Sequence, residues 1–347
     1  MFRKTLALAA FASVSLAGCS AAPAAVENSP TTTETATEQP LAEKSSITVY
    51  SGRKEKLVQS VIDQFTTETG ITVEVRYAKS AEMAAQLLEE GDNSPADVFF
   101  SQGAGALGAV AKAGMLIELP SEIMGLVPTE YSAADGKWVG VSGRARVIVY
   151  DPDKVSEVPT SVFDLANAEW QGRIGIAPAN ASFQAFVTAM RILHGEEKTL
   201  EWLKAMKTNA VMYPKNSAIL KAVENKTVDA GLINHYYWFA MSREIGVENM
   251  TSKLGYFKSK DVGNLINSAG VGILSDSNAA RSFVEYLLSK TGQQYFVGET
   301  SEYPLIPGVV AGVELTPMDQ IPAPEIDLSD LDSLEETLDM IREAGLI

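Results

Sequence analysis

Along this chain, short apolar runs of alternating pattern take turns with longer stretches in which apolar residues recur every three or four positions. ITVYSG (47–52) alternates as a strand does and ends at Gly52. Leu57, Val58, Val61, Ile62 and Phe65 then repeat at helical spacing, and Gly70 closes that helix. ITVEVRY (71–77) alternates again, a second helix runs through Met83, Ala84, Leu87 and Leu88 to Gly91, and ADVFFS (96–101) is a short apolar strand after Pro95. A helix over GALGAVAKAGML follows. Strand and helix alternate, which predicts an α/β fold with a mostly parallel sheet over the first hundred residues of the body.

The pattern recurs with other contents. RVIVYD (146–151) and RIGIAPAN (173–180) read as strands, the second leading into a helix with Phe183, Phe186, Val187 and Met190 on one face and Asn180 or Ser182 as its cap. NSAILKAVEN is a helix, VDAGLIN (228–234) a strand, and the next helix opens on two tyrosines and ends near Gly246. SAGVGIL (268–274) is a further apolar strand, followed by helices through ARSFVEYLLSKTGQQYFVG. Ser333 and Glu336 stand at capping-box spacing before the last helix. No internal repeat is evident. The simplest layout is two α/β lobes, with the chain crossing near 142–146 and returning near 264–268. Ligands of such sheets sit at the carboxyl ends of strands, here Ser51-Gly52-Arg53 and Ser101-Gln102-Gly103.

The N-terminus has a different character. Arg3 and Lys4 precede an apolar run to Ala17, a secretory signal too short to span a membrane in the mature protein. It ends in Leu16-Ala17-Gly18-Cys19, similar to a bacterial lipobox, in which the cysteine becomes the lipid-modified first residue after cleavage of residues 1–18. Cys19 is the single cysteine, so disulfides and thiolate metal sites are excluded. Residues 19–46, rich in Thr, Ala, Pro and Glu without apolar periodicity, read as a disordered, lipid-anchored tether. Signal cleavage removes two positive charges and takes the formal charge from −16 to −18. Such a balance argues against nucleic acid or an anionic membrane surface as partner, leaving membrane attachment to the lipid alone.

Candidate chemistry is sparse. HExxH and the phosphate-loop and dinucleotide glycine spacings are missing. His194, in RILHGEE, reads as a surface position at a helix end, and GVSGRAR lacks the second glycine of a nucleophile elbow. What remains is NHYYW (234–238). Aromatics at a strand end are ordinarily core. Yet two consecutive residues at a helix start cannot both face one core, and each phenol needs a partner if buried. Phenolate is a hard oxygen donor, and with an ordinary pKa of about 10 only a strong cation such as Fe(III) holds it deprotonated near neutrality. On the residues alone, core packing and a binding site both stand.

ITVYSGR, EEGDNSPADVFF, SGRARVIVYD, YPKNSAILKAVEN, INHYYW, SEYPL and IREAGL occur in this order. With them the chain resembles, over about residues 46–347, the bacterial ferric-ion-binding proteins that serve ABC iron importers. The resemblance implies the two-lobed type II periplasmic-binding-protein fold with its ligand cleft between lobes. The expected division is 47–143 plus 267–317 for the N-terminal lobe and 144–266 plus 318–347 for the C-terminal lobe. It implies Tyr236 and Tyr237 as iron ligands and a synergistic anion held by Asn180, Ala181, Ser182, Asn216 and Asn234, a helix N-terminus being a natural anion site. Arg144 matches an arginine used for the anion in some members, although Arg144 and Arg146 equally suit structural ion pairs. Tyr50, Tyr131, Tyr150, Tyr213, Tyr256 and Tyr303 read as structural.

Two positions depart from the family's pattern. A histidine ligand is replaced by Lys54, beside Arg53, and a glutamate ligand by Gln102. Protonated lysine has no lone pair and an amide is a weaker donor than carboxylate. Two tyrosinates leave one positive charge of Fe(III) to be met by an anion, hydroxide or another phenolate, and Arg53 and Lys54 favour an exogenous anion, carbonate, phosphate or citrate. The expectation is therefore a monomeric, lipid-anchored extracytoplasmic receptor, at the cell surface or in the periplasm, delivering ferric iron to an ABC importer permease. A receptor of the same fold for chelated iron or a small oxyanion or organic anion is the alternative, and an extracytoplasmic enzyme the remote one.

Overall fold

The structure, a computed structural model, describes residues 46–312 and 315–347. The predicted signal, Cys19 and all of the predicted tether but Ser46 lie outside the described residues. The order is β1 (Ser46–Ser51), α1 (Glu55–Thr69), β2 (Thr72–Tyr77), α2 (Ser80–Glu90), β3 (Val98–Ser101), α3 (Ala104–Lys112) and α4 (Ser121–Met124). The long strand β4 (Val139–Tyr150) leads to β5 (Ile174–Ile176), α5 (Ala181–His194), α6 (Glu196–Asn209), β6 (Ala210–Met212), α7 (Asn216–Glu224), β7 (Ala230–Asn234) and α8 (His235–Ile245). Then come β8 (Lys253–Gly255), β9 (Ile266–Ile273), α9 (Asn278–Leu287), α10 (Lys290–Tyr295), β10 (Tyr303–Pro304) and α11 (Leu334–Glu343).

The strands run in the order β2-β1-β3-β9-β4-β7-β5-β6, with β8 and β10 also on β4. β1 is parallel to β2 and β3, as the strand–helix alternation predicts. The later strand β9 enters antiparallel to β3 and β4, so the sheet is mixed. β4 is the hub. Its first part, to Ala145, pairs with β9, and from Arg146 it pairs with β7. The alternation along the strands sorts side chains to opposite faces. Val98 and Phe100 pack with Val58, Val61 and Phe65 of α1 and with α9, whereas Phe99 packs with Met83 and Leu87 of α2 and Leu107 of α3. In the other half of the sheet Leu232 faces Phe183 and Phe186 of α5, and Ile233 faces Ile219, Leu220 and Val223 of α7. Helices therefore cover both faces at β3 and β7, which is why these central strands are buried throughout.

One local expectation fails. Ser333 does precede α11 but makes no capping bond, because its carbonyl and hydroxyl both accept from Arg191 of α5. A long-range arginine has displaced the local box.

Candidate metal and anion site

The site is built at carboxyl ends of strands. β7 ends at Asn234 and the chain turns at once into α8, whose first turn carries His235, Tyr236 and Tyr237. His235 takes the inward direction. It is fully buried, and Tyr236 and Tyr237, half-buried, are left to one side of it. Their rings stack at 4.4 Å between centroids with 30° between planes. Burial, and next the neighbouring Tyr236, push the Tyr237 phenol up from its ordinary value. Without a cation Tyr237 is thus a neutral phenol, and a hard, highly charged ion is what would turn it into a phenolate.

His235 is not free to act as a third ligand. Its Nε2 lies 2.7 Å from the Ser301 carbonyl oxygen and must carry the ring proton. Nδ1 then accepts from the Ala145 N–H at 3.2 Å. Burial lowers its pKa to about 4, so the ring is neutral.

Around the tyrosines the structure gathers most of the predicted anion contacts. Asn180 caps α5, its Oδ1 accepting from the Ser182 N–H at 2.9 Å and the Ser182 hydroxyl at 2.6 Å. The same hydroxyl oxygen accepts from Asn216 Nδ2 and Arg146 Nη1, each at 3.3 Å. Arg146 is buried over the rings of Phe183 and Phe186. Burial presses it below its ordinary value and the phenols of Tyr236 and Tyr237 counter this. A guanidinium stays charged even so. Arg144 is equally buried, within the field of the same two phenols, and donates to the backbone carbonyl of Gln102, so the two halves of the sheet meet at this point. Neither Arg144 nor Arg146 forms the structural ion pair that suited them on sequence; among the described residues both lack a carboxylate in contact. Asn216 Oδ1, Asn234 Oδ1, Arg144 Nε and Arg146 Nη2 are buried without a hydrogen-bond partner, and the two arginines among them lie in the field of Tyr236 and Tyr237. Ala181 supplies the first residue of α5 beside its cap.

Arg53 differs from expectation. Its guanidinium is fully buried and forms a two-pronged pair with Glu302, Nη1–Oε1 3.1 Å and Nη2–Oε2 2.9 Å. Its charge is met by an internal carboxylate, not held out to an exogenous anion. Burial opposes ionisation of Glu302, but Arg53 and Arg144 overcome it and hold the carboxyl below its usual range. The Ser142 hydroxyl also donates to Glu302. Lys54 is exposed at the start of α1. Gln102 is half-buried, its N–H donating to Ser80 Oγ at 2.9 Å. Glu302 lies within SEYPL, and its partner is not evident from the sequence. The signal was a lone acid between a serine and an apolar strand, and β10 pairing Tyr303 with Gly143 is what brings it to Arg53.

Among the described residues no three His, Cys, Asp or Glu side chains converge as a metal site would require, and no helix is long and apolar enough to cross a membrane. A pocket of about 300 Å³ lined by Tyr131, Ile266, Met318 and Glu325 shares no residue with the tyrosine site.

Comparison with known proteins decides the family. Residues 93–331 match the model of the bacterial extracellular solute-binding proteins. The chain belongs to that family. It is 40% identical over 310 residues to the major ferric iron-binding protein of Neisseria meningitidis, covering 86% of this chain and 93% of the relative. It is 38% identical over 307 residues to the Fe(3+)-binding periplasmic protein of Serratia marcescens, 87% and 90% of the two chains. Iron-bound HitA from Pseudomonas aeruginosa superposes with a TM-score of 0.82 at 34% identity, covering 87% of this chain and 99% of HitA. The Trichodesmium protein IdiA, or FutA, in complex with iron and citrate gives 0.76 at 28% identity, covering 87% and 100%. The fold is the two-lobed α/β type II periplasmic-binding-protein fold, and the family member described here is a solute-binding protein, not an enzyme.

Proposed function

We propose that this chain is an extracytoplasmic receptor that captures ferric iron and passes it to the permease of an ABC importer. In this reading Tyr236 and Tyr237 supply two phenolates. Asn180, Ala181, Ser182, Asn216 and Asn234, with Arg144 and Arg146, hold an oxyanion that completes the coordination. The lobes are 47–143 plus 267–317 and 144–266 plus 318–347, with Gln102 in the first joined through its carbonyl to Arg144 at the start of the second. Cys19 carries the lipid that keeps a monomeric receptor at the membrane.

The observation that carries the reading is the stacked phenol pair in the field of two buried arginines, neither of which makes a contact ion pair, the one carboxylate near Arg144, Glu302, being bonded to Arg53. Iron and two phenolates leave one positive charge, and Arg144 and Arg146 add two. Arg53 adds none, since Glu302 cancels it. An excess of that size in a buried site calls for a multivalent oxyanion, which favours citrate or phosphate over a singly charged ion. The names of the relatives, ferric iron-binding proteins and an iron- and citrate-bound neighbour, agree with it.

The test is spectroscopic. Iron-free protein titrated with ferric citrate should develop a visible phenolate-to-iron charge-transfer band, reduced in Tyr236→Phe and in Tyr237→Phe and absent in the double variant. Separate titrations with ferric ion plus phosphate or carbonate identify the anion. A colourless wild-type protein under all three conditions, or ferric affinity unchanged in the double variant, would sink the reading.

A further inference from the structure

His235, adjacent to the tyrosines, lies outside the ligand set just described, yet its ring bonds two separate elements of the fold. One ring nitrogen bonds Ala145 and the other Ser301, residues 90 and 66 positions away in the chain. Ala145 is the last residue of β4 paired with β9; the next, Arg146, pairs with Asn234, the residue before His235. The ring therefore reaches back across the point where β4 changes partner. Ser301 sits at φ 54°, a left-handed conformation unusual for serine, directly after a π-helical turn at Phe296–Thr300. The next residue, Glu302, holds Arg53 at the end of β1. The imidazole also lies 4.8 Å from the Tyr303 ring and meets the Tyr236 ring edge-on at 5.9 Å and 86°. At the far end of α8, Arg243 donates to Ser301 Oγ and to the carbonyls of Gly298 and Glu299.

We propose that His235 is a positioning residue for the metal site: by bonding Ala145 and Ser301 at once it sets the height and rotation of the first turn of α8, and so the separation and tilt of the Tyr236 and Tyr237 phenols. The inference rests on the ferric reading of those phenols. Asn234 gives the helix no side-chain cap, so nothing local holds this turn. Two bonds to fixed backbone on two different elements do so instead. Side chains that orient metal ligands without touching the metal commonly change affinity by about ten- to a hundred-fold when removed.

Four variants separate positioning from bulk stability. His235→Leu keeps apolar volume and loses both bonds. In His235→Gln the amide N–H stands near Nε2 and can still reach Ser301. His235→Asn places its amide near Nδ1 and serves Ala145 instead. Arg243→Met loosens the far end of α8 and frees the Ser301 hydroxyl, while leaving both His235 ring bonds available. Ferric affinity is read by citrate competition, together with the charge-transfer maximum, the low-field iron EPR signal and the melting temperature of iron-free protein.

His235→Leu is expected to bind about tenfold or more weakly, with a displaced band and an altered EPR lineshape. His235→Gln should recover most of the affinity and the wild-type band, with His235→Asn between. Arg243→Met should lower the melting temperature and leave the band in place. Equal affinity and spectra across the His235 variants overturn the proposal, as does a band displaced as far by Arg243→Met as by His235→Leu. If His235→Leu does not fold, identical spectra in the Gln and Asn variants overturn it. If wild-type protein binds no iron, the ferric reading falls by itself. The ring-current shifts of the stacked tyrosines in metal-free protein, compared by NMR between wild type and His235→Gln or Asn, then judge the positioning role alone; unchanged shifts reject it.

Discussion

Glu302→Gln removes a negative charge from a place where no water can replace it. The carboxylate and the Arg53 guanidinium are both buried, 1% and 0% exposed, and Arg53 Nε already lacks a partner. Deleting one member of a buried pair leaves the other as an uncompensated charge, at a cost of roughly 3–5 kcal/mol. Glutamine keeps the volume and a carbonyl acceptor for one guanidinium N–H, so about 3 kcal/mol is expected. At roughly 2 °C per kcal/mol for a body of this size, that is a melting temperature lower by about 6 °C at pH 7.

The pH dependence has a definite sign. Arg53 and Arg144 hold the folded-state carboxyl below its usual value. Its contribution is therefore complete above the ordinary glutamate range, about 4.3, and is lost as pH falls through the lower folded value. Calorimetry of iron-free protein should show wild type and variant well separated at pH 7 and converging toward pH 3. Adding Arg53→Met to the variant should recover part of the loss, because the orphaned cation is gone. A drop under about 2 °C at pH 7, a gap that persists unchanged at pH 3, or strict additivity in the double variant would refute the argument.

Other outcomes follow from the same geometry. Because burial lowers His235 to about 4, the folded protein refuses a proton that the unfolded chain accepts near pH 6.5; stability should decline between about pH 6.5 and 4, by up to about 3 kcal/mol, and His235→Gln should flatten that part of a pH–melting curve. Asn180→Ala removes the α5 cap and should cost about 1 kcal/mol in denaturant unfolding while weakening anion-dependent iron binding further. A Cβ on Gly105 would lie 2.3 Å from the Leu331 carbonyl oxygen, so Gly105→Ala must displace the segment before α11 and should cost about 1–3 kcal/mol in the same assay. Gln102→Glu puts a carboxylate just past the end of β3, at the residue whose carbonyl accepts from Arg144, and on the proposed ferric reading should raise ferric affinity while reducing its dependence on added citrate, measured by titrating the charge-transfer band with and without the anion.

Where sequence reading succeeded, the information was local. Apolar spacing of three and four residues located α1 and its buried face at Val58, Val61, Ile62 and Phe65. Glycine stops at Gly70 and Gly246 ended helices where the structure ends them, Gly246 at φ 89°. Of the two caps that the sequence offers for α5, Asn180 and Ser182, the structure uses Asn180. Where reading fell short, a distant residue had intervened. Arg191 took the Ser333 oxygens that a capping box would have used. The apolar pattern marks RVIVYD as a strand, whereas β4 starts earlier, at Val139, because β9 offers it a second partner. The helix Glu196–Asn209 escaped notice because its polar residues, among them EEK and KTN, dilute the apolar stripe of Leu203 and Met206.

By itself, then, the sequence determined what short-range sterics and solvent determine: which stretches form strands and helices, which faces are apolar, that two adjacent tyrosines open a helix, and that few other groups were left to bind a hard cation. Tertiary structure decided the charges. Arg53, Arg144 and Arg146 are alike as letters, and nothing near them in the chain says which one is neutralised. Glu302 reaches Arg53 across 249 residues because β10 lies on β4, and the desolvated interior makes that choice costly to reverse. Which cations remain for a ligand is a property of the sheet's long-range register, and a linear chain does not carry that in any one place.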